Sequence, residues 1–371
     1  MGKRGCEVPL FVFNHLYTPL PMIRPLTSLR LLFALMVFAS HCNIISDRFD
    51  IPLLTEGYVG VSFFFVLSGF IIAYSYDERF ASGSVTKREF WTARVARIYP
   101  LHLLMLMVAA SLGTYSLSNG LGQWLAHFIP NAVLCQAYVP SADYYFSFNS
   151  PSWSLCCEQL FYLAFPLLAS LLRRPCHLTI AFILSAIAVV VGMHFTPEPW
   201  AKDVWYVNPI ARFPDFLLGM WIYQLASREQ NTSLTRSQAT WQECGAVTLF
   251  VLFYTLSVHV PQVYRYSCYY WLPIALVIYI FSLQHGWLSQ FLSCRLLVWG
   301  GEVSFGFYLI HHMLFRLYVE AQHHLQFSLS PYIAILALLL LTLLLSGVSY
   351  RYFEQPANKF VKRLDFLRDI K

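Results

Sequence analysis

Charged residues are scarce in this chain of 371 residues. Asp, Glu, Lys and Arg make up only 12% of the sequence, whereas apolar residues reach 57% and the mean hydropathy is +0.54. A soluble domain has about 25% charged residues, because it must cover a surface that faces water. This shortage of charge excludes an ordinary soluble protein and predicts an integral membrane protein.

Sequence patterns of metal or redox chemistry are also missing. The nine cysteines contain no CxxC pair, and the adjacent Cys156 and Cys157 lie in an apolar segment, where buried structural thiols are expected. We therefore predict no metal site and no bound cofactor. The formal charge of +6 is dispersed along the chain, which argues against a nucleic-acid partner.

Apolar segments recur along most of the chain. A transmembrane helix needs about 20 mostly apolar residues, and we predict an all-α polytopic membrane protein with about ten such helices in the lipid bilayer. The predicted spans are 26–46, 57–76, 98–112, 152–172, 178–194, 207–226, 244–259, 268–284, 297–318 and 331–350. Pro130 interrupts segment 121–139, which we expect to be re-entrant or interfacial.

Basic residues predict the orientation of these spans. Lys and Arg accumulate in cytosolic loops, and with the N-terminus inside, 20 of the 25 basic residues fall in inner segments. An even number of spans returns the C-terminus to the cytosol. We expect 1–21 to be a short cytosolic extension, with Met1 and Met22 both open as the start, 22–350 the membrane domain, and 351–371 a basic cytosolic tail.

Ionisable residues inside a membrane are costly and are therefore functional candidates. Arg30 and His41 are eleven residues apart in the first span, so both project from one helix face, about 16 Å apart along the axis. The alternatives are a membrane anchor for Arg30 and a structural core position for His41. Ser68 in the second span could equally serve helix packing.

Two arginines at the start of the third span suit a phosphate group. Arg94 and Arg97 are three residues apart and share a helix face at the cytosolic boundary. Guanidinium groups bind phosphate with two parallel hydrogen bonds. The phosphate could belong to a nucleotide or to a lipid headgroup.

Further ionisable residues fall in the outer halves of other spans. These are Glu158, Arg212 and His311, which we expect to lie at the depth of His41. Such convergence predicts a reaction site that holds a base, a carboxylate and cations. We expect Glu158 to pair with His41, with Arg212 at the same level. A structural ion-pair network is the alternative.

Seven short motifs together resemble the acyltransferase type 3 family, membrane O-acyltransferases that modify bacterial surface carbohydrates and related acceptors. They are Arg30 and His41 with ten residues between them, GVSFFFVLSGFIIAY at 60–74, Arg94 and Arg97 with Tyr99-Pro100, SWSLCCEQLFYL at 152–163, ARFPDFLLG at 211–219, SFGFYLIHH at 304–312 and FEQP at 353–356. Each motif is short, but all seven occur in the expected order across about 24–363. Cys156-Cys157 and His312 depart from the family pattern.

The resemblance implies transfer of an acyl group, usually acetyl, from cytosolic acyl-coenzyme A to a hydroxyl on the far side of the bacterial inner membrane. It implies an essential His41 paired with Arg30, an acidic role for Glu158, and donor binding by Arg94 and Arg97. The implied acceptor is a carbohydrate or a glycolipid.

We expect His41 to be the catalytic base, although a transient acyl-histidine is a second chemistry that the sequence leaves open. Residues expected to contact the acceptor or to stabilise charge are Arg212, His311, Trp153 and Ser68. The alternative function is a transporter or flippase of a lipid-linked sugar, although we find no inverted repeat of the kind that many carriers have.

Overall fold

The structure is a computed structural model that describes residues 21–113, 115, 118, 120–228, 234–327 and 329–368. Regular structure in these residues is helical, with no strand among them. The long helices are α1 Arg24–Ser40, α2 Val59–Ala81, α3 Lys87–Ser111, α4 Leu121–Ala132, α5 Trp153–Leu172, α6 Pro175–Phe195, α7 Phe213–Ala226, α8 Arg236–Leu256, α9 Trp271–Leu283, α10 Arg295–Leu325, α11 Pro331–Ser349 and α12 Gln355–Arg368. The all-α prediction is confirmed.

Seven segments of the described chain are long and apolar enough to cross a membrane. They are Arg24–Ile44, Pro52–Ala81, Lys87–Ser111, Ser150–Leu171, Pro175–Phe195, Arg236–His259 and Pro331–Leu364. The other three predicted spans also contain helices, but α7 and α9 have only 14 and 13 residues, and the 31-residue α10 carries charged side chains. A polytopic membrane protein is confirmed, while the total of about ten crossings stays a prediction.

The helix that contains Arg94 and Arg97 begins before the apolar run does. The backbone N–H of Glu89 donates to the Thr86 hydroxyl at 3.2 Å, and the Glu89 carboxylate accepts from the backbone N–H of Thr86 at 2.7 Å. This reciprocal capping starts α3 at Lys87. The two arginines therefore lie inside one continuous helix, on one face, as their spacing predicts.

Helices α2 and α7 pack with their backbones in contact. A Cβ on Gly69 would lie 2.0 Å from the carbonyl oxygen of Phe216, and one on Gly219 would lie 1.9 Å from that of Val66. Neither position has room for a side chain, which is how small residues allow close helix packing in membranes.

Helices α1 and α10 lie side by side and run in the same direction. Near the start of both helices, a Cβ on Gly301 would lie 1.8 Å from the carbonyl oxygen of Thr27. Further along both helices, His41 meets His311. A first and a ninth span are parallel when successive spans alternate, so this contact agrees with the predicted order of the spans.

Candidate active site

Two groups of polar side chains occupy the interior of the bundle. We define the histidine cluster as His41, His311 and His312, where the end of α1 meets α10. We define the arginine cluster by side chains from α1, α3, α5 and the turn before α12, namely Arg30, Arg94, Arg97, Glu158, Tyr162 and Glu354.

The histidine cluster is held by hydrogen bonds to the backbone. His41 lies directly after α1, with its Nδ1 2.9 Å from the carbonyl oxygen of Val37 and 3.2 Å from Nε2 of His311. Nδ1 of His311 lies 3.2 Å from the carbonyl oxygen of Phe307. The ring of His312 meets that of His41 edge-on, with centroids 5.2 Å apart.

These contacts determine which nitrogens carry protons. A carbonyl oxygen can only accept a hydrogen bond, so Nδ1 carries the proton in both His41 and His311. Nε2 of His311 is then an acceptor for the N–H of His41. In its neutral form His41 keeps a lone pair on Nε2, which forms no hydrogen bond with the described residues. That lone pair is available to accept a proton.

Aromatic rings surround the two paired histidines. Phe38, Phe307 and Phe315 have ring centroids 6.2 to 6.4 Å from that of His311, which is fully buried. Such an apolar shell excludes water and disfavours a charged imidazole. His41 itself remains partly exposed.

The arginine cluster is ionic. Arg97 forms an ion pair with Glu354 at 3.6 Å, and Tyr162 donates a hydrogen bond of 2.6 Å to Glu158. Arg94 donates to the Tyr76 hydroxyl at 3.1 Å. A cluster of cations and hydroxyl groups in a half-buried site is suited to binding an anion.

Cations outnumber carboxylates in the arginine cluster. Glu158 interacts electrostatically with Arg30, Arg97 and Arg94. Lys362 is close enough to Arg94 and Arg97 for their positive charges to repel its own. Nε of Arg94 is buried and has no hydrogen-bond partner among the described residues. This excess of positive charge leaves capacity for a further anion.

The expectation that Glu158 pairs with His41 is wrong in this structure. The carboxylate of Glu158 contacts Tyr162 and faces the arginines, and the charged group that acts on His41 is Lys202. The Tyr308 hydroxyl donates to the carbonyl of Pro151 at 3.3 Å, so the start of α5 is level with the histidines. Seven residues further, at 1.5 Å each, Glu158 lies roughly 10 Å deeper.

The physical reason is the position of the outer end of α5. Ser152 and Trp153 are 1% and 3% exposed, so the helix begins inside the protein and not at its outer surface. The predicted depth of Glu158 assumes that α5 begins at the outer surface. Because α5 begins inside the protein, Glu158 lies deeper than predicted.

Arg212 does not face the histidines either. Its guanidinium is fully buried, lies 2.8 Å from Asp215, and donates to the Ser62 hydroxyl at 2.7 Å and to the carbonyl of Tyr266. All these partners belong to the scaffold between α2, α7 and the segment before α9. The alternative reading, a structural ion pair, describes Arg212 better than an acceptor contact.

Of the remaining expected residues, one lies in each cluster and Trp153 lies in neither. His311 contacts His41 directly, whereas Ser68 lies within hydrogen-bonding reach of Tyr162 in the arginine cluster. Trp153 is buried against Phe65 and Tyr206, with ring centroids 6.2 and 4.7 Å away. Neither Ser68 nor Trp153 is placed beside His41 by these contacts.

Sequence reasoning missed two members of these clusters. Tyr162 and Glu354 fall within the quoted motifs at 152–163 and 353–356, where no role is predicted for them. His312 falls in the outer half of its predicted span with His311, but it is predicted only to depart from the family pattern. Their position in short polar motifs beside apolar segments was the available signal. Within the described residues, no group of three or more His, Cys, Asp or Glu could hold a metal ion.

A histidine cluster and a cationic cluster, both inside a bundle of membrane helices, define a membrane protein with polar sites within the bundle. Comparison with known proteins narrows the class, because the family model described as an acyltransferase domain matches residues 25–351. The chain belongs to the acyltransferase type 3 family and is a multi-pass membrane acyltransferase.

Its relatives include one protein that is matched over most of its length and two that are longer than this chain. The acyltransferase MdmB of Streptomyces mycarofaciens is 30% identical over 91% of this chain and 92% of its own length. The O-acetyltransferase OatA of Staphylococcus aureus is 25% identical over 85% of this chain, and the putative peptidoglycan O-acetyltransferase YrhL of Bacillus subtilis is 24% identical over 92%. This chain spans 55% of the length of each of the last two. No solved structure matches the chain.

Proposed function

We propose that this protein transfers an acetyl group from cytosolic acetyl-coenzyme A to a hydroxyl of a carbohydrate or glycolipid on the extracytoplasmic side of the membrane. The observation that carries the proposal is the orientation of His41, whose Nδ1–H is held by Val37 and His311 so that Nε2 is left as a base. A carrier without chemistry has no need for an imidazole fixed in one tautomer.

In the proposed reaction His41 acts as a general base. Nε2 takes the proton of the acceptor hydroxyl while the hydroxyl oxygen attacks the thioester carbonyl. The tetrahedral intermediate breaks the C–S bond, and the thiolate of coenzyme A leaves with the proton that the imidazolium returns. His311 acts through His41 and not on the substrate, because its Nε2 accepts from Nδ1–H and fixes the ring.

The arginine cluster is proposed to bind the donor. Arg94 and Arg97 hold phosphates of coenzyme A, and Arg30 lines the route along α1 toward His41. Glu158 faces the same arginines, where its carboxylate competes with the donor phosphates. The pantetheine arm then spans the depth between the two clusters, which is about 16 Å along α1 from Arg30 to His41.

The acceptor class is proposed from the relatives. OatA is named an O-acetyltransferase and YrhL a putative peptidoglycan O-acetyltransferase. A hydroxyl-bearing sugar is consistent with a base that lies near the expected outer side of the bundle. The basic residues of the loops support the cytosolic placement of the donor site.

Reconstitution in sealed vesicles tests the proposal. Protein of known orientation is supplied with acetyl-coenzyme A on the expected cytosolic side and peptidoglycan fragments on the other. We expect free thiol on the donor side and acetylated sugar on the acceptor side in equal amounts, and no thiol release without acceptor.

His41→Ala is the matched inactive control, and His177→Ala, at an exposed position, is the active control. Transport of a lipid-linked sugar that proceeds without thiol release, and equally well in His41→Ala, would support the transporter alternative. Thiol release only when donor and acceptor share one side would contradict the proposed direction.

A further inference from the structure

A cavity of about 690 Å³ lies where the starts of α1 and α8 meet the chain between α9 and α10. Arg24, the first residue of α1, and Arg236, the first residue of α8, both line this cavity. Segment 284–293 forms another wall and contributes His285 and Ser289. The volume is in the usual range for a ligand site. Both arginines belong to the side of the bundle that the basic loops predict to be cytosolic.

The cavity is lined by cations without a matching carboxylate. None of the described residues that line it is acidic. The side chain of Arg24 forms no hydrogen bond or ion pair in the described part of the chain. Arg236 contacts neutral groups, since it donates to the side-chain oxygen of Gln290 and lies over the ring of Trp287 at 5.9 Å. Guanidinium groups in this state are suited to binding phosphate.

A carboxylate behind the cavity wall is already satisfied by the wall itself. Glu243 is 1% exposed and accepts hydrogen bonds from the backbone N–H groups of Gly286 at 3.0 Å and Leu288 at 2.9 Å. It also accepts from the hydroxyl of Ser289 at 2.5 Å. Glu243 pairs with neither arginine among the described ion pairs, and its hydrogen bonds hold the wall in place.

The position of the cavity favours a lipid over a soluble phosphate. Arg24 and Arg236 are the first residues of two of the seven segments that are long and apolar enough to cross a membrane, so both lie at the level of the lipid headgroups. Trp287 and Phe291 in the adjoining wall segment are 64% and 66% exposed. Aromatic side chains concentrate at this level of a membrane, and basic pockets between membrane helices on the cytosolic side bind lipid headgroups.

This cavity is separate from the arginine cluster. Arg24 and Arg30 are six residues apart on α1, which places them about 9 Å apart along the helix axis and turned by about 240° from each other. The two side chains therefore leave α1 on different sides.

We propose that the cavity binds the phosphate of an anionic phospholipid, with Arg24 and Arg236 as its cationic contacts. The hydroxyl of Ser28 donates to the carbonyl of Leu292 at 2.5 Å, so α1 is already joined to the wall beside the cavity. A phosphate between the two arginines adds a link from α1 to α8 at the membrane boundary. The inference goes beyond the proposed transferase function and does not depend on it.

Lipid binding by the purified full chain tests the site. Protein in a non-ionic detergent is freed of co-purified lipid and titrated with radiolabelled phosphatidylglycerol or phosphatidylcholine of the same acyl chains. We expect saturable binding of phosphatidylglycerol and about fivefold weaker binding of phosphatidylcholine, whose choline cancels the charge of its phosphate. Inorganic phosphate, glycerophosphoglycerol and coenzyme A serve as soluble competitors, and we expect none of them to displace the lipid at equal concentration.

Variants connect the binding to the two arginines. Arg24→Ala and Arg236→Ala should each weaken binding of phosphatidylglycerol about fivefold, and Arg236→Glu should weaken it more, as expected for one basic residue at a membrane surface. Arg236→Lys keeps the charge and should retain most of the affinity. Arg174→Ala is the matched control, because Arg174 is exposed directly before the membrane segment Pro175–Phe195 and does not line the cavity.

Several results would overturn the site. Equal binding of the two lipids would remove the selectivity for an anion, and an equal loss of affinity in Arg174→Ala would assign the effect to general surface charge. Displacement by inorganic phosphate or glycerophosphoglycerol would identify a soluble phosphate as the ligand, and displacement by coenzyme A would assign the cavity to the acyl donor. All these readouts are binding measurements, so failure of the transferase function would not produce any of them.

Discussion

The histidine cluster and the arginine cluster lie in one bundle but are built in opposite ways. His41 and His311 are fixed by backbone carbonyls and enclosed by phenylalanines, so the pair is held neutral. Arg97 and Glu354 form an ion pair in a group with surplus positive charge. A neutral cluster with an apolar shell suits proton transfer, and a charged, half-exposed one suits anion binding. The difference predicts that mutations in the two clusters change different kinetic constants.

Removing the base gives the largest expected effect. His41→Ala should lower kcat by about 10²–10⁴-fold, the range that general-base catalysis contributes, while binding of acetyl-coenzyme A is retained. Thiol release in the presence of acceptor gives the rate, and equilibrium binding of labelled donor gives the affinity. If donor affinity falls as much as turnover does, the two clusters are not separate functional units.

Removing a donor cation should change KM instead. Arg97→Ala should raise the KM for acetyl-coenzyme A about tenfold, because one charge-assisted contact with phosphate is lost. The KM for acetylpantetheine, which lacks the nucleotide phosphates, should change little.

Lys87→Ala provides the control, since Lys87 is an exposed cation on the same helix. Arg97→Lys keeps the charge opposite Glu354 and separates folding from binding. An equal rise in KM for both donors would mean that Arg97 supports the fold and not the phosphates.

Replacing the positioning histidine should give a smaller loss of turnover. His311→Phe fits the aromatic shell but removes one of the two acceptors for Nδ1–H of His41 and leaves Val37, so kcat should fall about 30-fold, less than the about 10²–10⁴-fold that the base itself contributes. His311→Gln places an amide near the former Nε2 and should recover most of that loss. Equal activities in the two variants, measured at matched protein levels, would limit His311 to packing.

Sequence reasoning succeeded where one helix alone decides the geometry. The eleven-residue spacing of Arg30 and His41 and the three-residue spacing of Arg94 and Arg97 follow from helix periodicity, and the structure places these residues inside continuous helices or directly at a helix end. The rule that intramembrane ionisable residues are functional candidates singled out members of both clusters, and their roles stay predictions.

Sequence reasoning failed where the position of a residue depends on tertiary packing. The depth of Glu158 depends on where α5 starts below the outer loop, which no local pattern reveals. For Arg212 a local signal did exist: Asp215 follows by three residues, the spacing of a helical ion pair, and that pair is formed. The contact of His41 with His311 joins residues 270 positions apart and required the packed bundle.

A change at Glu158 tests whether the histidine cluster and the arginine cluster act separately, and its expected effect is the smallest. In the arginine cluster its carboxylate competes with donor phosphates for Arg30, Arg94 and Arg97. Glu158→Gln keeps the shape and the hydrogen bond to Tyr162 but removes that competition, so the KM for acetyl-coenzyme A should fall about threefold and become more sensitive to salt. Turnover at saturating donor should stay within a factor of about three, because no contact joins Glu158 to His41. Steady-state kinetics at two salt concentrations measures both constants. A hundredfold loss of kcat at unchanged donor KM would instead assign Glu158 to the reacting centre. The two clusters would then have to approach each other during the reaction.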